Sequence, residues 1–121
     1  MTLQFEGEHG PRDTLCFVEE KLSLGLWKWN LKTRRMEWSR GFYRLLGLES
    51  GSVEPSYAAF ETMVHPNDVR QPGEIERIVS QAGSIEREFR IVQSGGRVRH
   101  ILNRGEVLLD EKGKPDQAGD L

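Results

Sequence analysis

The three histidines and the single cysteine are the side chains of this sequence best suited to ligate a metal or to act as a nucleophile. His9, His65 and His100 lie far apart along the 121 residues, and the one thiol is Cys16. Because a metal site of this kind needs three or four ligands brought together, these residues predict none. A single cysteine cannot form an internal disulfide, and a free thiol fits a reducing compartment, so we expect the chain in the cytoplasm.

The segment His65–Asp68 permits two interpretations, a metal or haem site and the start of a helix. Proline is tolerated at the first helical position because its missing N–H costs nothing there. The carboxylate of Asp68 would also favour the positive end of a helix dipole. We therefore interpret His65, Pro66 and Asp68 as a helix-capping motif.

Signatures of catalysis are absent from the sequence. It contains no glycine-rich phosphate loop, no His-Glu-x-x-His, no Gly-x-Ser-x-Gly and no pair of carboxylates at a recognisable site. The sequence predicts that the chain is not an enzyme, and a small enzyme built around a pocket is the alternative.

The charged residues nearly balance, with 17 basic against 19 acidic and a net charge of −2. Such a balance argues against a generic polyanion partner, so we expect no nucleic acid. Six basic residues and one acid lie between Lys28 and Arg44, which predicts a solvated rim, with a phosphate or nucleic-acid patch as the alternative. No apolar run approaches the roughly 20 residues of a membrane span, so membrane contact is not expected.

The N-terminal part predicts an amphipathic helix that needs a partner. Residues 11–24 carry Leu15, Val18 and Leu22 at helical spacing with charged residues between them, and residues 1–10 are expected to form a flexible segment. The apolar stripe is suited to a dimer contact.

Two tryptophans dominate the first predicted strand. In Leu26–Leu31 the residues alternate, with Trp27 and Trp29 on one face, and Met36–Trp38 would return as the second strand of a hairpin. These aromatics could stack on a ligand or form the core. If Trp27 is buried, its replacement by alanine should cost roughly 3 to 5 kcal/mol.

Two serines predict the starts of short helices. Ser39 can cap a helix that carries Phe42 on its buried side and ends at Gly47 in a left-handed conformation. Ser56 can cap a second helix over residues 57–64.

The rest of the chain predicts one further helix and then strands. Pro72 and Gly73 interrupt the helix that His65–Asp68 would begin, so its regular part should run from near Glu74 to Gly83. Residues 84–92 alternate as a long strand, and residues 97–109 return after a tight turn, with Gly105 as a predicted bulge. This order is α+β, with helices on one face of an antiparallel sheet.

Six short motifs resemble successive landmarks of the PAS domain family, in the usual order. They are Gly25–Leu31, Trp38-Ser39, Leu45–Gly47, Val64–Asp68, Glu88–Ile91 and Gly96. The resemblance covers about residues 23–121 and is greatest to the subgroup found in bacterial sensor histidine kinases and diguanylate cyclases.

The resemblance implies a five-stranded antiparallel sheet that cups a small pocket beneath its helices, with the N-terminal helix packed outside the sheet. It assigns residues 25–121 to the PAS core and places the last strand in the middle of the sheet. Ala118–Leu121 would be only the opening of that strand, so we expect an incomplete strand. Unpaired groups on its two neighbours would then promote self-association.

The family places a set of apolar residues around the pocket, and the two strand tryptophans are further candidates. The full predicted set is Trp27, Trp29, Phe42, Leu46, Phe60, Val64, Ile78, Phe89 and Ile91. A filled core without a ligand is the alternative.

Cofactors of known relatives fit this sequence poorly. Haem-binding relatives hold iron through a histidine in the long helix, here about residues 74–82, which contain none. Light-sensing relatives attack flavin with a cysteine, and Cys16 lies far from that position, although loose flavin binding stays open. No cofactor is therefore expected, and an unknown small ligand remains possible.

The resemblance implies a regulatory input domain next to a signalling output domain in a histidine kinase or diguanylate cyclase. It would form a homodimer and convert ligand occupancy, or contact with a partner, into a shift between two dimer arrangements. A ligand-free scaffold that dimerises neighbouring domains is the alternative.

Overall fold

A computed structural model describes residues 23–81 and 83–119 of the chain. The predicted flexible segment at residues 1–10 lies outside the described residues. So do Leu15, Val18 and Leu22, with the rest of the predicted helix up to residue 22.

Five strands and three short helices make up the described chain. In chain order they are β1 (Trp27–Asn30), β2 (Met36–Trp38), α1 (Arg40–Leu45), α2 (Tyr57–Glu61), α3 (Glu74–Val79), β3 (Gly83–Val92), β4 (Val98–Leu109) and β5 (Pro115–Gly119). The strands form one sheet in the order β2-β1-β5-β4-β3. Every neighbouring pair is antiparallel. The predicted α+β class with a five-stranded antiparallel sheet is confirmed.

The last strand lies in the middle of the sheet, where it joins the two hairpins. Ala118 of β5 pairs with Trp29 of β1 on one side and with Val107 of β4 on the other. The strand begins at Pro115, three residues before the expected opening at Ala118. Since β5 pairs with both neighbours, the unpaired ladder groups expected there are not found among the described residues.

Both serine caps form as predicted, but the second helix is shorter than expected. The Ser39 side chain accepts the N–H of Phe42, and Ser56 accepts the N–H of Ala59. The helix that Ser56 caps ends at Glu61 instead of reaching Val64, which forms an isolated bridge with Ile91 of β3. Pairing with the edge of β3 thus replaces the last helical turn.

The segment His65–Asp68 is a turn and not a helix start. Its N–H to C=O bond joins Asp68 to His65, and α3 begins only at Glu74 with Gly73 as its N-cap. Gly73 lies at φ 83°, and no side chain caps this helix. The predicted capping role is corrected here because the Asp68 carboxylate binds β3 instead of a helix end.

Gly105 is not a bulge, because the β3–β4 ladder is continuous through its pairing with Ile85. The register shift of β4 lies between Leu108 and Leu109. A Cβ at position 105 would lie 2.8 Å from the Gly119 carbonyl oxygen and 2.9 Å from Trp27 Cζ2. Glycine is therefore required by close packing.

The inner face of the sheet carries the core in two clusters. Strand alternation directs Trp29, Val107 and Ala118 into one cluster, and Phe89 and Ile91 into the other. Partly buried Trp27 and Met36 pack against both clusters.

None of the helices in residues 23–81 and 83–119 has the length and apolar character needed to cross a membrane.

Candidate functional site

A cavity of about 430 Å³ lies between the inner face of the sheet and the three helices. Side chains of α1, α2 and α3 line one side of it, and residues of β1, β3 and β4 line the other. The volume falls within the range of small-molecule pockets, roughly 300 to 1,000 Å³. The cavity is therefore the candidate site.

Most of the predicted pocket residues lie on the cavity wall. The structure brings together Trp27, Trp29, Phe42, Leu46, Phe60, Phe89 and Ile91. That these side chains contact a ligand remains a prediction.

Two predicted positions do not line the cavity. Val64 is buried in the adjoining core cluster, and Ile78 is half-buried beside the cavity. Ile75 and Val79 of α3 line it instead. They are four residues apart and therefore share one row of the helix surface, which here faces the sheet.

Aromatic rings form much of the wall. The rings of Trp29 and Tyr57 are stacked, with centroids 5.5 Å apart and an interplanar angle of 3°. Phe60 lies edge-on to Phe89 at 5.4 Å and contacts Phe42 at 5.9 Å. Such a wall is suited to contact with a flat, apolar molecule.

Trp27 has a polar contact that the sequence did not predict. Its indole Nε1 donates to Asn103 Oδ1 at 2.7 Å, across 76 residues of sequence. Asn103 lies on the same alternating face of β4 as Ile101 and Val107, and this alternation was the available signal. The bond orients the half-buried indole along the cavity wall.

A polar cluster lies at the α2 end of the cavity. Tyr57 Oη donates to Glu61 Oε1 at 2.6 Å, and Arg87 Nη1 donates to the same oxygen at 2.6 Å. Only 10% of the Arg87 side chain and 13% of the Glu61 side chain are exposed. The pair is thus largely removed from water.

This cluster shifts the ionisation of its members. Burial raises the pKa of Tyr57 to about 12, and its hydrogen bond to Glu61 acts in the same direction. Burial alone would raise the pKa of Glu61, but hydrogen bonds from Arg87 and Tyr57 outweigh it and leave that pKa below its ordinary value. At neutral pH the tyrosine is neutral and the glutamate is ionised.

The turn at residues 65–68 is bound to β3 from two directions. Arg87 Nη2 donates to the Asp68 carbonyl oxygen at 2.8 Å. The Asp68 carboxylate accepts the Arg90 backbone N–H at 2.8 Å, Nε at 2.9 Å and Nη2 at 3.0 Å. These bonds hold the pKa of Asp68 well below its usual range. They fix the segment that leads to the cavity residue Arg70.

The cavity lining is basic, a property that was not predicted from the sequence. Arg70, Arg87 and Arg99 line it, and no aspartate or glutamate does so among the described residues. Arg70 Nη1 donates to Tyr57 Oη at 3.3 Å, and no carboxylate pairs with it in the part of the chain that is described. Strand alternation was the available signal for Arg87 and Arg99, which share a face with Phe89 and Ile101, whereas no local pattern places Arg70 at the cavity.

His65 takes part in a local turn instead of an ion site. Its Nδ1 accepts the N–H of Asn67 at 3.1 Å, and its own N–H donates to the Arg90 carbonyl at 2.8 Å. Across residues 23–81 and 83–119, no group of three or more histidine, cysteine, aspartate or glutamate side chains is placed to hold a metal ion.

Known proteins resemble this chain in sequence and in fold. A profile of the family described as the PAS fold matches residues 35–118. The Sensor protein FixL of Bradyrhizobium diazoefficiens is 30% identical over 96 residues, which are 78% of this chain and 19% of that protein. The chain thus spans about a fifth of the length of this curated relative.

Two solved structures share the architecture. A sensory box histidine kinase/response regulator from Burkholderia thailandensis has a TM-score of 0.65 and 26% identity, with 87% of this chain and 79% of that chain covered. The N-terminal domain of a diguanylate cyclase with a PAS/PAC sensor, from Marinobacter aquaeolei, has a TM-score of 0.67 and 24% identity, with 78% and 88% covered. The second match shows the fold alone.

Proposed function

The chain belongs to the PAS-fold family, and on this premise we propose that it is the cytoplasmic sensory module of a bacterial signal-transduction protein. The proposal assigns it a small ligand in the cavity and no reaction of its own. Its parent would be a sensor histidine kinase, with a diguanylate cyclase as the other output. A sensor is favoured because the Sensor protein FixL is 30% identical to the chain, and a histidine kinase because the Burkholderia sensory box histidine kinase/response regulator is 26% identical.

The cavity of about 430 Å³ is the observation that carries this proposal. A filled core leaves few voids larger than a water molecule, so a cleft of this size between sheet and helices argues against a filled core. Apolar rings with a few convergent polar groups are the usual composition of a ligand site.

The ligand would act by shifting an equilibrium between two dimer arrangements. Residues of all three helices line the cavity, so an occupant would change how they pack on the sheet. A ligand shifts the equilibrium only by the difference between its affinities for the two arrangements. The signal would pass to a neighbouring output domain.

Haem is not part of the proposal. Helix α3 has the sequence EIERIV and therefore offers no histidine to an iron from this side of the cavity. A loosely bound flavin or another small molecule remains compatible with the aromatic wall.

An absorbance scan and a native mass spectrum of the freshly purified chain test the proposal. We expect a stoichiometric small molecule, or its uptake from a cell extract, with the added mass lost on denaturation. A protein that carries no added mass and takes up none contradicts ligand sensing.

The outer face of the sheet favours a second function, that of a ligand-free dimerisation scaffold. Val98, Leu102 and Leu108 alternate along β4 on this face, and all three are exposed although they are large and apolar. A second copy of the chain would bury them.

Light scattering of two variants, each with one exposed apolar residue replaced by glutamate, tests this dimer contact. Leu108→Glu should convert a dimer to a monomer, because this residue is 44% exposed on the outer face and, unlike Leu102, does not line the cavity. Val69→Glu is the matched control, since Val69 is 43% exposed but lies outside the sheet. A monomeric mass of the unmodified chain at high concentration contradicts self-association.

A further inference from the structure

We propose that the cavity takes a flat aromatic carboxylate whose anionic group is bound by Arg70. This inference rests on the proposed function, because it assumes that the cavity holds a ligand. It goes further by stating the charge, the shape and the anchoring residue.

The charge of the lining indicates an anion. Three arginines and no acidic residue line the cavity within the described chain. Arg87 is already neutralised by Glu61 at 2.6 Å. Glu61 also interacts with the backbone N–H of Arg70, but no carboxylate of the described residues forms an ion pair with the guanidinium of Arg70 or Arg99. A cleft lined by one sign of charge between low-dielectric walls concentrates ligands of the opposite sign.

Hydrogen bonds place Arg70 beside the aromatic wall. The hydroxyl proton of Tyr57 is donated to Glu61, so its oxygen is left to accept Arg70 Nη1 at 3.3 Å. The Tyr57 ring is in turn stacked on Trp29. A guanidinium has five N–H donors in a planar fork, and the bond to Tyr57 uses one of them. The remaining donors match the two oxygens of a carboxylate.

The walls and the volume of the cavity indicate the shape and size of the apolar part of the ligand. Trp29, Phe42 and Phe60 present ring faces or edges to the cavity, which suit a planar aromatic group. An apolar cavity of about 150 Å³ holds one benzene ring. The space of about 430 Å³ has room for a molecule of two fused rings with a carboxylate.

Calorimetric titration with a charged and an uncharged probe of the same shape tests the inference. The 121-residue chain is titrated at neutral pH with 2-naphthoate and with 2-naphthamide. We expect naphthoate to bind at least about tenfold more tightly, the size of a charge-assisted hydrogen bond. Arg70→Gln should remove this preference by weakening naphthoate alone.

Two further variants separate recognition from folding. Arg97→Gln removes an exposed arginine in the turn before β4, outside the cavity lining, and should leave both affinities unchanged. Arg70→Lys keeps the charge but loses the fork, so it should retain part of the preference. Circular dichroism and the melting temperature of each variant report its folding.

Each outcome distinguishes the inference from the function beneath it. Equal affinity of the native chain for both probes overturns the anion preference and leaves the ligand site standing. A naphthoate preference that survives Arg70→Gln in a folded protein overturns the role of Arg70. Binding of neither probe overturns the inference, and the native mass spectrum of the same chain then decides separately whether the cavity holds a ligand.

Discussion

Arg87 and Arg90 leave β3 on opposite faces of the sheet, and each pairs with a carboxylate that precedes α3. The inner pair, Arg87 with Glu61, is 10% and 13% exposed, and it adjoins the cavity. The outer pair, Arg90 with Asp68, is 34% and 21% exposed. Both pairs join an arginine to a carboxylate, so the difference in burial between the two faces should decide how much each pair contributes to the stability of the fold.

The apolar residues of the two faces differ in the same way. Trp29 on the inner face is 6% exposed and stacks on Tyr57, whereas Leu102 on the outer face is 51% exposed. A side chain contributes to folding in proportion to the apolar area it removes from water. The inner face should therefore stabilise the monomer, and the outer face should matter for association.

Replacement of Trp29 should have the largest effect on stability. Trp29→Ala should lower the free energy of unfolding by about 3 to 5 kcal/mol, because a large buried ring is lost and a void remains. Leu102→Ala, the control on the outer face, should change it by no more than about 0.5 kcal/mol in the monomer. Denaturant titrations measure both, and similar losses would contradict the assignment of the faces.

Trp27→Ala should lower the free energy of unfolding by less than Trp29→Ala does. From the sequence alone, the large loss was predicted for Trp27. The Trp27 indole is half-buried and faces the open cavity, so fewer packing contacts are lost. Its bond to Asn103 adds a smaller contribution. Denaturant midpoints in the opposite order would show that Trp27 is the better packed residue.

Glu61→Gln should have the next largest effect. It leaves the Arg87 guanidinium with little exposure to water and no counter-charge, and we expect a loss near the lower end of the roughly 3 to 5 kcal/mol typical of a broken buried pair. Asp68→Asn is the matched change on the outer face and should cost clearly less, since water can solvate Arg90. Thermal and chemical unfolding measure both variants, and equal losses of stability would mean that burial does not determine how much each pair contributes.

A smaller effect is expected at high pH from Tyr57. Its pKa in the folded chain is raised from 10.0 to about 12 by burial and by the bond to Glu61. Because the folded pKa lies above the unfolded one, this contribution is complete below pH 10 and is lost as the pH rises toward 12.

Spectrophotometric titration of tyrosinate should therefore contain a component near pH 12 that Tyr57→Phe removes. The stability of Tyr57→Phe should also fall less steeply through this alkaline range. A component that persists in the variant would assign it to another group.

The smallest effect is expected from the exposed pair of Lys32 and Asp110. Lys32 Nζ lies 2.7 Å from Asp110 Oδ2, but 54% of the lysine side chain is exposed. Asp110 also accepts the backbone N–H groups of Lys112 and Lys114, which close the turn between β4 and β5. Lys32→Gln should leave the melting temperature unchanged within error. A clear drop would show that this exposed pair contributes more to stability than its exposure predicts.

The sequence predicted those parts of the fold that depend on neighbouring residues. Ser39 and Ser56 cap their helices because a hydroxyl reaches an N–H three residues ahead, which is a local property. Strand alternation likewise placed Phe89 and Ile91 on one face of their strand, and the family resemblance implied that they surround a pocket, which they line.

Predictions that needed a distant partner were the ones that changed. Asp68 was expected to favour a helix start, but Arg90, 22 residues later, binds its carboxylate. Gly105 was expected to mark a bulge, but it is required by the close approach of Gly119 and Trp27. In each case the deciding atom belongs to a strand that is distant in sequence.

The types of the elements, their order and the composition of the inner face were therefore determined by the sequence itself, through period and capping. The charge of the cavity was decided only by the tertiary structure. Arg87 and Glu61 are 26 residues apart, and Arg70 reaches Tyr57 across 13. The order β2-β1-β5-β4-β3 and the packing of the helices on it bring these groups to one wall. Local sequence spacing does not encode which distant charges meet, because that depends on which strands become neighbours.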